Sequence, residues 1–373
     1  MASRRALGAL LALSVAVGLT ACRTLTPPDP ARIAPLSSGA GELLLVGFRG
    51  TDADDNAELE RLLCDVKVGG IILFAHNIVD REQIGRLVHA AAQRAHACTG
   101  RPLLVAIDAE GGLAMRLNPK VGYTDTLSAD ELGQQNDVAL TELEARRIGA
   151  MLREAGITWN LAPVVDVGYN PANPVIVGRG RSYGDDPAVV TAHARAFIRG
   201  MHEAGVLTAL KHFPGHGSSF EDSHLGFVDV TDTANLDIEL APYRTLMAEH
   251  MVDAVMTAHV FNRHLDGRYP ATLSRSTIDG VLRGRLGWQG LVVSDDMRMG
   301  AIEQHYGGDE AAVRSLAAGV DVVLIAADRL PDGRSAAVDA LAAIRAALAD
   351  GRLDPTRVES ALARVRALRS RIP

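Results

Sequence analysis

VLTALKHFPGHG (206–217) is an apolar run that ends on Lys211 and His212 and is then broken by Pro214-Gly215. Its apolarity is continuous rather than alternating, which marks a strand covered on both faces, as in a parallel sheet. Seven further runs have the same form: LLLVGF (43–48), GIILFA (70–75), PLLVAID (102–108), WNLAPVVDV (159–167), DAVMTAHV (253–260), GLVVSDD (290–296) and VDVVLIAA (320–327). Helix-length stretches separate them, and parallel strands require such crossovers. Val338, Leu341, Ile344 and Leu348 form one apolar stripe closed by Gly351, and Val358, Leu362 and Val365 repeat the pattern in a last helix. Eight β/α units fit a (β/α)8 TIM-type barrel, a single α/β catalytic domain, better than an open doubly wound sheet. The first run is not followed by a dinucleotide glycine fingerprint.

The 373 residues are 47% hydrophobic, which is enough apolar material for one large core. The formal charge of −7 speaks against a nucleic-acid partner. Residues 1–22 have the organisation of an export signal: Arg4-Arg5, an apolar stretch over 6–19, and LTAC at 19–22. The stretch is short for a bilayer span. Its ending resembles the lipobox of bacterial lipoproteins, which would make Cys22 the lipidated first residue; the alternative is an ordinary secretory signal with an incidental Cys. Either way the protein is expected to be exported, and with a lipid anchor it would be held on the cell or outer membrane, periplasmic or extracellular. Residues 23–41, rich in Pro, Ser and Gly, read as a semi-rigid tether, and 42–373 as the folded domain, with no length left for a second one. Cys64 and Cys98 each stand near a helix end; export permits a disulfide, but separate buried thiols are the commoner outcome.

Active sites of such barrels lie at the C-terminal ends of the strands, so the residues that end the apolar runs are the ones to inspect. The second run ends in His76-Asn77 and the third in Asp108-Ala109-Glu110. The others end in Asp166, Lys211-His212, His259 and Asp295-Asp296. A ring of ionisable groups at a barrel mouth carries a desolvation cost that structure alone does not explain. A zinc helix with His212 and His216 four apart is prevented by Pro214-Gly215, and LLLVGFRG (43–50) lacks the His-x-His pair of a metal-dependent amidohydrolase. A phosphate loop would need its Lys after the glycines, whereas Lys211 precedes them. Acid/base chemistry remains. Asp222 and His224 lie two apart in a long excursion, where a carboxylate fixes one ring nitrogen and leaves the other to exchange a proton. Asp295 is then a candidate nucleophile toward an anomeric carbon. Asp296 would point to the opposite face of the strand. His216 reads as a turn-shaping residue.

KHFPGHG with DSH downstream, EGG (110–112), NLAPVVDV, RSYGDDP (181–187), MTAH, PATLS (270–274) and VVSDDM occur in the order of signature blocks. In these blocks, from about residue 42 to the end, the chain resembles the single-domain bacterial β-N-acetylglucosaminidase type of family 3 glycoside hydrolases. That resemblance implies a retaining exo-enzyme without cofactor or metal, acting on terminal N-acetylglucosamine of peptidoglycan fragments or chitooligosaccharides. It implies Asp295 as nucleophile and His224, oriented by Asp222, as general acid/base. Asp108, Arg116, Arg181, Lys211, His212 and His259 would bind the sugar, with Asp166 lining the pocket less directly. The chain departs from the family's pattern at Ala109, at Leu113 in place of an Arg, and in the extra Arg179, which leaves open which guanidinium meets the sugar. The alternatives are a β-glucosidase or an N-acetylglucosamine phosphorylase of the same family, or a non-catalytic sugar-binding lipoprotein.

Overall fold

The apolar runs become eight parallel strands: β1 (Leu44–Gly47), β2 (Gly70–Leu73), β3 (Leu104–Ile107), β4 (Trp159–Asn160), β5 (Leu207–Phe213), β6 (Ala254–Thr257), β7 (Leu291–Val293) and β8 (Val323–Ile325). The structure is a computed structural model and describes residues 29–327 and 329–372. Residues 1–22 with Cys22, and the start of the tether, lie outside the described residues. From β1 to β7 each strand pairs with its neighbour in sequence, and β8 returns to β1 through Leu44↔Val323 and Leu45↔Leu324. Between β7 and β8 one parallel bridge, Val293↔Val322, joins the last two edges, so the sheet is a nearly closed (β/α)8 barrel.

The strands are buried on both faces, as continuous apolarity requires, and Trp159 and Phe213 are wholly inside. β4 is much shorter than its run of sequence suggests, because Pro163 offers no N–H to the ladder. Pairing resumes only at the Val164↔Lys211 bridge. Crossover helices begin at side-chain caps: Asp80 accepts from Gln83 N ahead of Arg81–Thr99, and Asp186 from Ala188 N ahead of Pro187–Glu203.

The last helix, Pro355–Arg369, lies across the N-terminal ends of the strands. Arg364 donates to Asp321 (3.0 Å) just before β8, Arg366 and Arg369 to Glu42 (2.7 and 3.0 Å) just before β1, and Arg369 to the Pro102 carbonyl. This closes the barrel floor and leaves the opposite mouth open. In the preceding helix, Ala336–Ala349, Leu341, Ile344 and Leu348 are buried, but Val338 is 37% exposed and does not belong to the stripe.

Two expectations are corrected. Part of the expected tether is folded: Asp29 caps a helix over Pro30–Gly39, with Leu36 buried and Arg32 paired in two bonds with Glu359 (2.8 and 2.9 Å). Pro30 stands at the first helical position, where its missing N–H costs nothing. Cys64 and Cys98 are not separate thiols but a disulfide, with Cα atoms 5.1 Å apart. The helical turn Arg61–Val66 packs on the Arg81–Thr99 helix, which brings the two together.

Candidate active site

At the open mouth lies a cavity of about 520 Å³, lined among others by Asp108, Arg116, Lys211, His212, His224 and Asp295. Its floor is an ionic cluster contributed by β3, β5 and the loop after β4. Lys211 Nζ donates to Asp108 Oδ1 and lies equally close to Glu110 Oε1, each 2.7 Å. Arg181 grips Glu110 with Nε and Nη2, both at 2.8 Å, and Nη1 donates to the Val175 carbonyl. Burial works to raise the Glu110 carboxyl, but the charges of Arg181 and Lys211 outweigh it and hold the group well below the ordinary range. Burial likewise opposes the Lys211 ammonium, and Asp108 and Glu110 overcome it and raise its pKa. Glu110, Lys211 and Arg181 are therefore held as ions, and Asp108 is partly open to the cavity.

His212 is set by two partners. Its Nδ1 stands 2.6 Å from Asp166 Oδ2, and Arg181 Nη2 stands 3.3 Å from Nε2. A guanidinium only donates, so Nε2 takes the acceptor role and Nδ1 carries the proton. Asp166 is almost inaccessible and also receives the N–H groups of His212 and His216. It orders the strand end from behind rather than facing the cavity.

The excursion after β5 borders the mouth through Asp222, His224 and Leu225. His216, expected only to shape a turn, is buried and spans it: Nδ1 meets Ser219 Oγ at 2.7 Å and Nε2 meets Ser223 Oγ at 3.1 Å. The next residue is His224, whose Nδ1 lies 2.6 Å from Asp222 Oδ1, and the same oxygen accepts the His224 N–H at 2.9 Å. The His224 side chain is 57% exposed and borders the cavity. The far end of the excursion is tied to the segment beyond Asp295, through Gly300 N to the His224 carbonyl and Ala301 N to the Ser223 carbonyl, both 3.2 Å.

Asp295 lines the cavity just past the end of β7 and accepts from Asp296 N at 2.8 Å. Burial would raise its carboxyl, but the imidazoles of His259, His212 and His224 and this N–H together lower it below the ordinary aspartate value. It is thus an ionised, half-buried carboxylate that borders the same cavity as His224. Asp296 does not turn to the opposite face as strand alternation suggests. The strand stops at Val293, and Asp296 also borders the cavity while accepting from Ala326 N and Arg298 N. Burial raises its carboxyl to about 6.

Of the expected sugar-binding residues, Asp108, Arg116, Arg181, Lys211 and His212 line the cavity together. His259 does not: it is buried, Nε2 meets the Asp296 carbonyl at 2.9 Å and Nδ1 meets Thr272 Oγ1 at 2.9 Å. It stands behind the aspartates and contributes to their electrostatics. His76 and Asn77 bind the Phe48 carbonyl and hold β1 to β2. Arg179 and Arg181 both border the cavity, Arg181 in the floor and Arg179 exposed near Asp222. Leu113, where a guanidinium was expected by family pattern, is an exposed apolar group on the rim. The sequence reading gave no site role to Glu110. Its spacing of two from Asp108, which places both on one side of extended backbone, was the available signal.

The family model described as "Glycosyl hydrolase family 3 N terminal domain" matches residues 36–368. The chain is 38% identical over 301 residues to "Beta-hexosaminidase LpqI" of Mycobacterium tuberculosis, spanning 79% of this chain and 74% of that protein. It is 34% identical over 335 residues to "Beta-hexosaminidase A" of Pseudoalteromonas piscicida, spanning 85% of this chain but only 55% of that one. Among solved structures, it is similar to a family 3 beta-N-acetylglucosaminidase from Paenibacillus sp., with a TM-score of 0.84 and 39% identity over 90% of this chain and 62% of the other. It is also similar to M. tuberculosis LpqI, with a TM-score of 0.77 and 35% identity over 92% and 97% of the two chains. The chain therefore spans little more than half of the Pseudoalteromonas relative and under two thirds of the Paenibacillus one.

Proposed function

This chain belongs to glycosyl hydrolase family 3, and from that premise we propose that it is a retaining exo-β-N-acetylglucosaminidase. The observation that carries the reading is one cavity bordered by both an ionised Asp295 and the Asp222–His224 pair, above an ionic floor suited to sugar hydroxyls. The names of the relatives support the choice of an N-acetylated hexosamine.

In the first half-reaction, Asp295 attacks the anomeric carbon as the bond to the leaving oxygen breaks. His224 gives that oxygen its Nε2 proton, and Asp222 supports the imidazolium through Nδ1. In the second, neutral His224 takes a proton from water, the water oxygen bonds to the anomeric carbon, and Asp295 leaves as carboxylate. Asp108, Lys211 and Arg181 would hold the ring, with donors and acceptors in alternation around it. The cavity is closed below by the cluster, which suits removal of a terminal residue. Peptidoglycan fragments or chitooligosaccharides are the proposed substrates. The signal-like residues 1–22 and Cys22 support export and a lipid anchor on the cell or outer membrane. Among the described residues no helix is long and apolar enough to cross a membrane.

The test is a side-by-side assay of an aryl N-acetyl-β-glucosaminide and the matching aryl glucoside, each with and without phosphate. Faster turnover of the acetamido sugar, independent of phosphate, is the expected result. Preference for the glucoside would reassign the substrate, and a phosphate-dependent sugar phosphate product would make the protein a phosphorylase.

A further inference from the structure

A second cavity, of about 900 Å³, opens at the barrel floor, away from the mouth. Asp253, just ahead of β6, and Leu291, the first residue of β7, stand in its wall, so it lies at the N-terminal ends of those strands. The last helix supplies Arg364 and Leu368. Trp288 forms a fixed apolar side. Its Nε1 donates to the Leu291 carbonyl at 3.2 Å, and its ring lies on Gly290, where a Cβ would stand 2.2 Å from Cζ2.

Guanidiniums crowd this face, and their carboxylate partners lie beneath it. Arg364 and Arg283 both donate to Asp321, which is inaccessible, and Arg371 donates to Asp253, which is 5% exposed. Arg366 and Arg369 share Glu42, itself buried. Two further cations in the wall have less. Arg285 stands 3.9 Å from exposed Asp237, and Arg244, exposed on the helix Ala241–Ala248, has no side-chain hydrogen bond or ion pair among the described residues. The face is therefore cationic on a chain whose formal charge is −7.

The described chain also begins beside this face. Arg32 of the first helix pairs with Glu359 of the last, and Gly39 lies against Leu362 and Arg366. Asp29 is seven positions after Cys22, a reach of at most about 25 Å when fully extended. We propose that the barrel floor docks on an anionic lipid surface, with a lipid phosphate entering the cavity between Arg244, Arg285 and Arg371, so that the active-site mouth points away from the membrane. A phosphodiester supplies the negative oxygens that these guanidiniums lack. Trp288, with Met247 and Leu286 beside it in the wall, suits the boundary between headgroup and acyl chain. The placement rests on the reading of Cys22 as a lipidated residue; the charge does not.

The Cys22→Ser chain, which carries no lipid, isolates the charge. In sedimentation it should bind vesicles of equal phosphatidylcholine and phosphatidylglycerol in preference to phosphatidylcholine alone, and added salt should erase the difference. Adding R244Q/R285Q should weaken binding to the anionic vesicles about thirtyfold, about fivefold for each guanidinium. Circular dichroism and turnover of a soluble aryl N-acetylglucosaminide should not change. Contact is read at Trp288, because the chain's other tryptophan, Trp159, is wholly inside. Phospholipids brominated near the headgroup should quench Trp288 in the anionic vesicles, and W288F should remove the quenched component. Equal binding to both kinds of vesicle, binding untouched by R244Q/R285Q, or an unquenched Trp288 overturns the proposal. A Trp288 response to a soluble acidic polysaccharide but not to vesicles also overturns it and gives the face to a glycan. Mass spectrometry of the wild-type chain from an exporting bacterium separates the two readings: an unmodified Cys22 refutes the anchor, while a preference for anionic vesicles still supports the docking face.

Discussion

Lys211 Nζ lies 2.7 Å from Glu110 Oε1, and the same carboxylate takes two bonds from Arg181. One buried anion therefore bridges two buried cations, with Asp108 supplying the second negative charge beside Lys211. Removing it by Glu110→Ala leaves both without their shared partner, an arrangement that costs about 3–5 kcal/mol of stability. Glu110→Gln, which keeps hydrogen-bonding capacity, should cost less but raise KM as Lys211 and Arg181 shift. Urea unfolding measures the first effect, and a loss below about 1 kcal/mol, the range of exposed pairs, would show that the cluster is not coupled in this way.

Asp295→Asn keeps the size of the side chain and its bond to the Asp296 N–H but removes the nucleophile. Turnover of an aryl N-acetylglucosaminide should fall by at least about a thousandfold with unchanged circular dichroism. A fluorinated sugar trap should label Asp295 in the wild-type protein. Turnover that survives the substitution would instead favour attack by the substrate's own acetamido oxygen, with Asp296 as the carboxylate to examine.

The barrel was legible because its information is local: continuous apolar runs, a helix-length spacing, and polar residues where each run stops. The same logic located Asp108, Lys211 and Asp295. What it missed depends on where chains cross. Cys64 meets Cys98 only because two helical segments pack beside β2. Glu110 gains its importance from Arg181, 71 residues away. His259 ends a strand like the others, yet Thr272 and the Asp296 carbonyl occupy its ring nitrogens. The helix at Pro30–Gly39 was hidden by composition, since Pro30 fits a helix start behind the capping Asp29 although Pro35, inside the helix, reads as a breaker.

His224 and Asp222 should separate by leaving group. A poor leaving oxygen needs the proton, so His224→Ala should lower kcat/KM about a hundredfold or more for a sugar or simple phenyl leaving group. It should have little effect on kcat/KM for dinitrophenolate, which departs unprotonated. Asp222→Asn removes the carboxylate that fixes Nδ1 and should show the same pattern in milder form. Equal losses across leaving groups would place the proton donor elsewhere.

His216 and Glu239 make opposite contributions to stability against pH. Burial lowers the His216 pKa to about 4, against an unfolded value of about 6.5. Between these values the unfolded chain binds more protons, so this histidine's contribution is complete above the unfolded value and is lost as pH falls toward 4. Glu239, raised to about 7 from an ordinary 4.5, binds more protons when folded, so its contribution is lost as pH rises through that window. From about pH 4.5 to 6.5 the two slopes oppose each other, about 1.4 kcal/mol per pH unit at most for each. His216→Asn is neutral throughout and removes only the histidine's slope. Relative to wild type, its unfolding free energy should therefore fall as pH rises from about 5 to 6.5, measured by urea titration at each pH. Parallel pH dependences for the two proteins would mean that His216 is charged in the folded state, with the ring taking a donor role toward both serines.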